Sequence, residues 1–299
     1  MLRDKLKVNI AFYYSQKSLL EDLFSKEWFE NTQNKIHPAY KRWALCNILI
    51  AQGGKIQYPE QFEENSQLLG AILLDSFVIC SATHGNPILM KLGSLKLYGD
   101  EKVQKKILTR ITDSRQYKEL MTEIYTGSWH ILEGHKITPL EKEGYPDFKV
   151  EYLEYPYPVC IECKNLWSPS RTAIRSAIKD ANRQLRQAGK SYGVLNLDVS
   201  EAISVGRVEN DELPSSLITI RDCISNLLSK RFYKSIGTVV LFWSDYIEHG
   251  RPPEPFFIVF RRRSIQIDHK NPFLKVPEKT PLFKSYSYGF WIIWTPRRL

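Results

Sequence analysis

A Pro-Asp pair, Pro146-Asp147, is followed, after fourteen intervening residues, by Glu162-Cys163-Lys164. Two carboxylates that converge make a seat for a hard cation such as Mg²⁺, which takes oxygen ligands and keeps several of its waters. A lysine beside such an ion can orient or deprotonate a water, or offset charge on a phosphate. Lewis acid, positioned water and charge stabilisation are together what attack on a phosphodiester needs. For this to work, Asp147, Glu162 and Lys164 must reach one place. Glu162 and Lys164 stand two apart, so on a strand they point to the same face. Asp147 reaches them if its own strand pairs with theirs as a hairpin across the turn Tyr155-Pro156-Tyr157-Pro158.

The elements expected around these residues agree with that requirement. Hydrophobic periodicity predicts a helix over 115–132, strands over 136–140, 147–153 and 159–164, a helix over 171–188 and a strand over 193–199. A helix within 217–232 and strands over 238–244, 256–261 and 286–294 follow. Thr238-Val-Val-Leu-Phe-Trp and Phe290-Trp-Ile-Ile-Trp are apolar on both faces, as strands in a sheet covered on both sides are. The first 110 or so residues read as mostly helical. One helix starts at Pro38 and ends before Gly53-Gly54, a second follows Pro59, and a third follows Asp100 as N-cap. The expected class is α/β, a mixed sheet core flanked by helices behind a mostly helical N-terminal region. The expected division is 1–113 and 114–299. Within the helix over 171–188, Ile174, Ile178, Ala181, Leu185 and Ala188 form the apolar stripe. Arg171, Arg175, Lys179, Asn182 and Arg186 run along another face. A row of cations there suits contacts to a nucleic-acid backbone, which position a duplex without reading its sequence.

With Pro146, Asp147, Glu162 and Lys164 in that order of helix, three strands, helix and strand, the sequence resembles the PD-(D/E)xK nuclease superfamily and its restriction-endonuclease-like fold. The likeness spans about residues 115–199. It implies a Mg²⁺-dependent nuclease acting on DNA, with Mn²⁺ able to substitute. It also implies that Asp147 and Glu162 ligate the metal and that Lys164 serves the attacking water. Many members add a glutamate from the helix before the first strand. Glu123 fits that place as a further ligand, with Glu119 and Glu133 as competitors. Some members support the site with a glutamine from the next helix, which puts Gln184 in that role. The Gln-x-x-x-Tyr pattern of one branch is not met, because Ser191 stands four after Gln187 and Tyr192 comes one position late. An endonuclease of restriction or defence type is expected from how such folds are used. The alternatives are a catalytically silent DNA-binding protein and an effector subunit switched on by a partner. A ribonuclease uses the same chemistry.

Charge and composition fit a polyanionic partner. The 299 residues carry 42 Lys and Arg against 33 Asp and Glu, a formal net charge of +9. Residues 231–299 alone hold 12 basic and 5 acidic side chains. Arg261-Arg262-Arg263 and Pro296-Arg297-Arg298 are candidate backbone contacts or solubilising edges. Five cysteines make an odd, sparse set, which fits a reducing cytosol better than a disulfide framework. The most apolar window, 68–80, is 13 residues long and contains Asp75. It is too short for the ~20 residues a membrane span needs and is expected to be a buried helix, so no membrane is expected. The start, MLRDKLKVNIAF, has no long apolar region and no small-residue cleavage site, so no signal peptide is expected. Cys160 and Cys163 are three apart, so on one strand they face opposite sides and are expected in the core. There is no G-x-x-x-x-G-K-[ST] phosphate loop, no G-x-S-x-G elbow and no metal-type histidine cluster. His130 and His135, which flank the first strand, are expected at the surface or at a helix end. Cutting two strands commonly takes two sites, so a homodimer is expected to suit the activity. The N-terminal helices offer surface to a protein partner.

Overall fold

The computed structural model describes residues 10–53, 109–132, 135–140, 142–152, 157–189, 192–203, 212–230, 233–249, 256–269 and 286–292. The helices expected after Pro59 and Asp100, the apolar window 68–80 and Glu133 lie outside them. At the N-terminus, α1 (Ile10–Phe24), α2 (Lys26–Glu30), a 3₁₀ turn (Thr32–Ile36) and α3 (Pro38–Ala51) follow one another. Pro38 opens α3 at its first turn, and His37 caps it by accepting the Ala39 N–H at its Nδ1, 3.1 Å away. Next come α4 (Ser114–Leu132), β1 (Lys136–Pro139), β2 (Phe148–Glu151), β3 (Val159–Asn165), α5 (Arg171–Gln187) and β4 (Tyr192–Asp198). They are followed by α6 (Ser200–Ile203), α7 (Ser215–Lys230), β5 (Thr238–His249), β6 (Phe256–Asp268) and β7 (Tyr286–Ile292).

The seven strands form one mixed sheet in the order β1-β2-β3-β4-β5-β6-β7. β1, β2 and β3 pair antiparallel, β3, β4 and β5 parallel, and β5, β6 and β7 antiparallel. The parallel steps need crossover connections, and α5 and α7 lie within them. β3 is an interior strand with a partner on each side.

Helices cover both faces of the sheet. On one face, Leu195, Leu197, Val239 and Leu241 share a buried core with Ile174, Ile178, Ala181 and Leu185 of α5 and with Leu217, Ile220 and Ile224 of α7. On the other, Asn196 of β4 donates to the Thr126 hydroxyl of α4 (3.3 Å), and the Thr122 hydroxyl donates to Asn165 Oδ1 (2.7 Å) at the end of β3. The outer side of α4 packs Tyr117, Leu120 and Ile124 against Leu20, Phe24, Phe29 and Ala39. Helix α4 is thus held between the sheet and the N-terminal helices, and residues from both sides of position 113 share one core.

β5 and β6 run further than the apolar pattern indicates. Polar residues interrupt that pattern, but the two strands pair without a break from Thr238↔Asp268 to His249↔Phe257. Arg261-Arg262-Arg263 therefore lies inside β6 rather than after a strand. Arg263 reaches inward, with Nη1 3.3 Å from buried Asp245 and its guanidinium 5.3 Å from the centre of the Trp243 ring, so it is a structural ion pair rather than a free backbone contact.

Candidate active site

Each candidate residue sits where a local rule puts it. Tyr145 N–H donates to the Lys142 carbonyl (3.0 Å), closing a tight turn in which Gly144 has φ +78°. That left-handed backbone suits glycine, which has no Cβ to clash. The turn delivers buried Pro146 and then Asp147 at the mouth of β2. Asp147 Oδ2 accepts the backbone N–H of Cys163 at 2.7 Å, which fixes it across the end of β3. Glu162 and Lys164 point to the face that Cys160 shares with α5, because side chains alternate along β3. Lys164 Nζ lies 2.5 Å from Glu162 Oε1; Glu162 is fully buried and the lysine is partly exposed. The three residues that the motif requires are therefore together.

Glu123 reaches the same neighbourhood from α4. It is buried, and its carboxylate is clasped by Arg110 through Nη1–Oε2 at 2.9 Å and Nη2–Oε1 at 2.5 Å. Burial, and then the negative charges of Glu123 and Glu162, hold the Asp147 carboxyl well above its usual range. Burial pushes Glu162 up to about 7 against the pull of Lys164. Burial alone would lower the Lys164 ammonium, but Glu162 and Asp147 outweigh it and the pKa rises. Lys164 is accordingly a cation at neutral pH.

Burial and the negative charge of neighbouring carboxylates both raise the proton affinity of Asp147 and Glu162, as in a cluster short of positive charge. Both Glu162 oxygens are buried without a well-aligned hydrogen-bond donor, a state that buried polar groups rarely keep. These are the properties of a site suited to a divalent cation. Among the described residues, no three His, Cys, Asp or Glu side chains form a ready ligand group. Each carboxylate has a partner within the protein: Asp147 holds the Cys163 amide, Glu162 holds Lys164 and Glu123 holds Arg110.

The supporting residues fall into place to different degrees. Gln184 of α5 donates from Nε2 to the Tyr145 carbonyl at 3.2 Å. It braces the turn that presents Asp147, with no contact to the carboxylates themselves. Glu119, the competitor of Glu123, bears electrostatically on Lys164. Arg171, Arg175, Lys179 and Arg186 are all exposed on α5. Asn182 is turned to structural use, accepting the Ser235 N–H at 3.1 Å. Cys160 and Cys163 are buried, outside any disulfide, and in separate cores. His130 sits in the last turn of α4, at a helix end as one expectation had it, but is fully buried rather than at the surface. Its Nδ1 lies 3.2 Å from that of His135, and burial followed by His135 lowers its pKa to about 3.

Arg110 is the functional candidate that motif reading missed. It belongs to no pattern around the carboxylates, and it stands thirteen residues before its partner. The packing of the helical residues around it against α4 brings the two together. Among the described residues, no helix is long and apolar enough to cross a membrane. Set against protein-family models, curated proteins and solved structures, the chain matches none.

Proposed function

We propose that the chain is a metal-dependent nuclease of the PD-(D/E)xK type, hydrolysing DNA phosphodiester bonds as an endonuclease, with Mg²⁺ as the ion and Mn²⁺ able to replace it. The observation that carries this reading is the convergence of Asp147, Glu162 and Lys164 at the end of β3 inside a cluster of carboxylates short of positive charge. The order α4, three antiparallel strands, α5 and a parallel β4 supports a restriction-endonuclease-like core.

Asp147 and Glu162 are the residues that would hold the ion. When bound, it supplies Lewis-acid activation and offsets charge on the phosphate. Lys164, kept as an ammonium, donates a hydrogen bond to the attacking water or to a phosphate oxygen, so its part is orientation and charge rather than proton removal. Gln184 keeps the Asp147 turn in place. The exposed cations of α5 give the DNA backbone a track beside the site, with affinity that falls as salt rises. A catalytically silent DNA-binding protein is the second reading, favoured by the internal partners that each carboxylate already holds.

Supercoiled plasmid with Mg²⁺, Mn²⁺ or EDTA, beside a Lys164→Ala control, separates these readings. The nuclease reading expects metal-dependent nicking that falls by about 10²–10⁴-fold in Lys164→Ala, the range for losing one positioned catalytic group. Binding of DNA without cleavage under any metal favours the silent protein. Undiminished cleavage by Lys164→Ala places the chemistry elsewhere.

A further inference from the structure

Beyond the three motif residues, the most fully made contact at the site is the fork between Arg110 and Glu123. Two parallel N–H to oxygen contacts, at 2.9 and 2.5 Å, join a partly exposed guanidinium to a buried carboxylate. This planar two-point geometry is the strong form of an arginine–carboxylate pair. It takes one acceptor site on each oxygen of Glu123 and places a full positive charge against that carboxylate, so an ion ligated by Glu123 would have to share it with the guanidinium. The charges lead to the same place. By formal charge, Glu123, Asp147 and Glu162, with Glu119 beside Lys164, bring four negative charges, and Lys164 and Arg110 bring two positive ones. Two negative charges are left over. A single divalent ion cancels that remainder. A second ion would leave the site positive.

We infer that Arg110, held by Glu123, takes the charge role that a second metal ion plays in two-metal nucleases, so that this chain works with one divalent ion and Glu123 positions Arg110 rather than ligating metal. The inference rests on the nuclease reading above and specifies its site. Arg110 is partly exposed, so its guanidinium can also meet a phosphate oxygen from the solvent side while Glu123 fixes its plane.

Mn²⁺ titrated into the purified full-length chain, followed calorimetrically and by the loss of the free-ion paramagnetic resonance signal, counts the sites without needing turnover. The expected result is one Mn²⁺ per chain and a cleavage rate that depends on Mn²⁺ with a Hill coefficient near one. Glu123→Gln is expected to keep that single site within about threefold in affinity while cleavage falls at least tenfold. Arg110→Gln frees Glu123 and is expected to admit a second Mn²⁺, whereas Arg110→Lys keeps the count at one. Two ions on the wild-type chain, or a tenfold or greater loss of Mn²⁺ affinity in Glu123→Gln, overturns the inference and leaves the nuclease reading standing. A wild-type chain that takes up no Mn²⁺ overturns both. The wild-type count and the conservative Glu123→Gln variant decide the matter even if Arg110→Gln does not fold.

Discussion

A carboxyl group shut away from water keeps its proton until a cation arrives, and that gives the site a measurable signature. Glu162 ionises at the ordinary 4.5 in the unfolded chain and at about 7 in the folded one, because burial disfavours its charge. Between those two values the folded state holds the extra proton, so metal-free stability falls as pH rises through that window and levels off above it. Asp147 is displaced in the same direction. An ion that binds the ionised pair restores what is lost, and only where the pair has lost its protons. Thermal melts in EDTA and in Mg²⁺ are expected to differ by a few degrees at pH 8 and to coincide near pH 5.5; coincidence at both pH values contradicts the assignment. At this scale the sequence was readable where residue type and spacing carry the chemistry, as with Asp147, Glu162 and Lys164. It was not readable where a partner comes from packing. Nothing about Arg110 in the chain announces Glu123, and nothing about His130 announces a fully buried imidazole.

Helix α5 has two jobs on two faces. Ile174, Ile178, Ala181 and Leu185 seat it on the sheet, while Arg171, Arg175, Lys179 and Arg186 stay exposed. Each phosphate contact releases counterions and contributes about 0.9 to the slope of log affinity against log salt. Changing all four cations to glutamine is therefore expected to flatten that slope by about 3–4 without altering the melting temperature by more than a degree or two. An unchanged slope moves the DNA track to another surface. The junction of β4 and β5 is tuned in a different way. A Cβ on Gly193 would come within 1.9 Å of the Ser235 carbonyl oxygen, which is backbone and cannot turn aside. Gly193→Ala is expected to cost at least the ~1–3 kcal/mol typical of overpacking, read as a drop of several degrees in melting temperature. The periodic apolar stripe of α5 and the two-sided apolar start of β5 made these elements legible. The outer halves of β5 and β6 were not, because the polar residues that break their pattern, Asp245 and Arg263 among them, satisfy each other across the ladder.

In the whole molecule, α4 is shared property. Its inner side meets the sheet through Thr122 and Thr126, and its outer side carries Tyr117, Leu120 and Ile124 into the core of the N-terminal helices. Removing residues 1–53 uncovers that side and the Glu123-bearing helix with it. The truncated chain is expected to aggregate, or to melt several degrees lower with a broadened transition; an equally stable, active truncation shows that the N-terminal helices are dispensable. The sheet adds a property that belongs to time rather than to space. Neighbours in the sheet are neighbours in sequence all the way from β1 to β7. A ribosome releases the chain in that same order, at roughly 5–20 residues per second, so each new strand meets the free edge of the one before it. None has to be threaded between two that have already joined. α4, β2, β3 and α5 are all released before β5 begins at Thr238. The acidic cluster and the cations of α5 are therefore laid down together, while most of the strongly basic C-terminal stretch is still being synthesised.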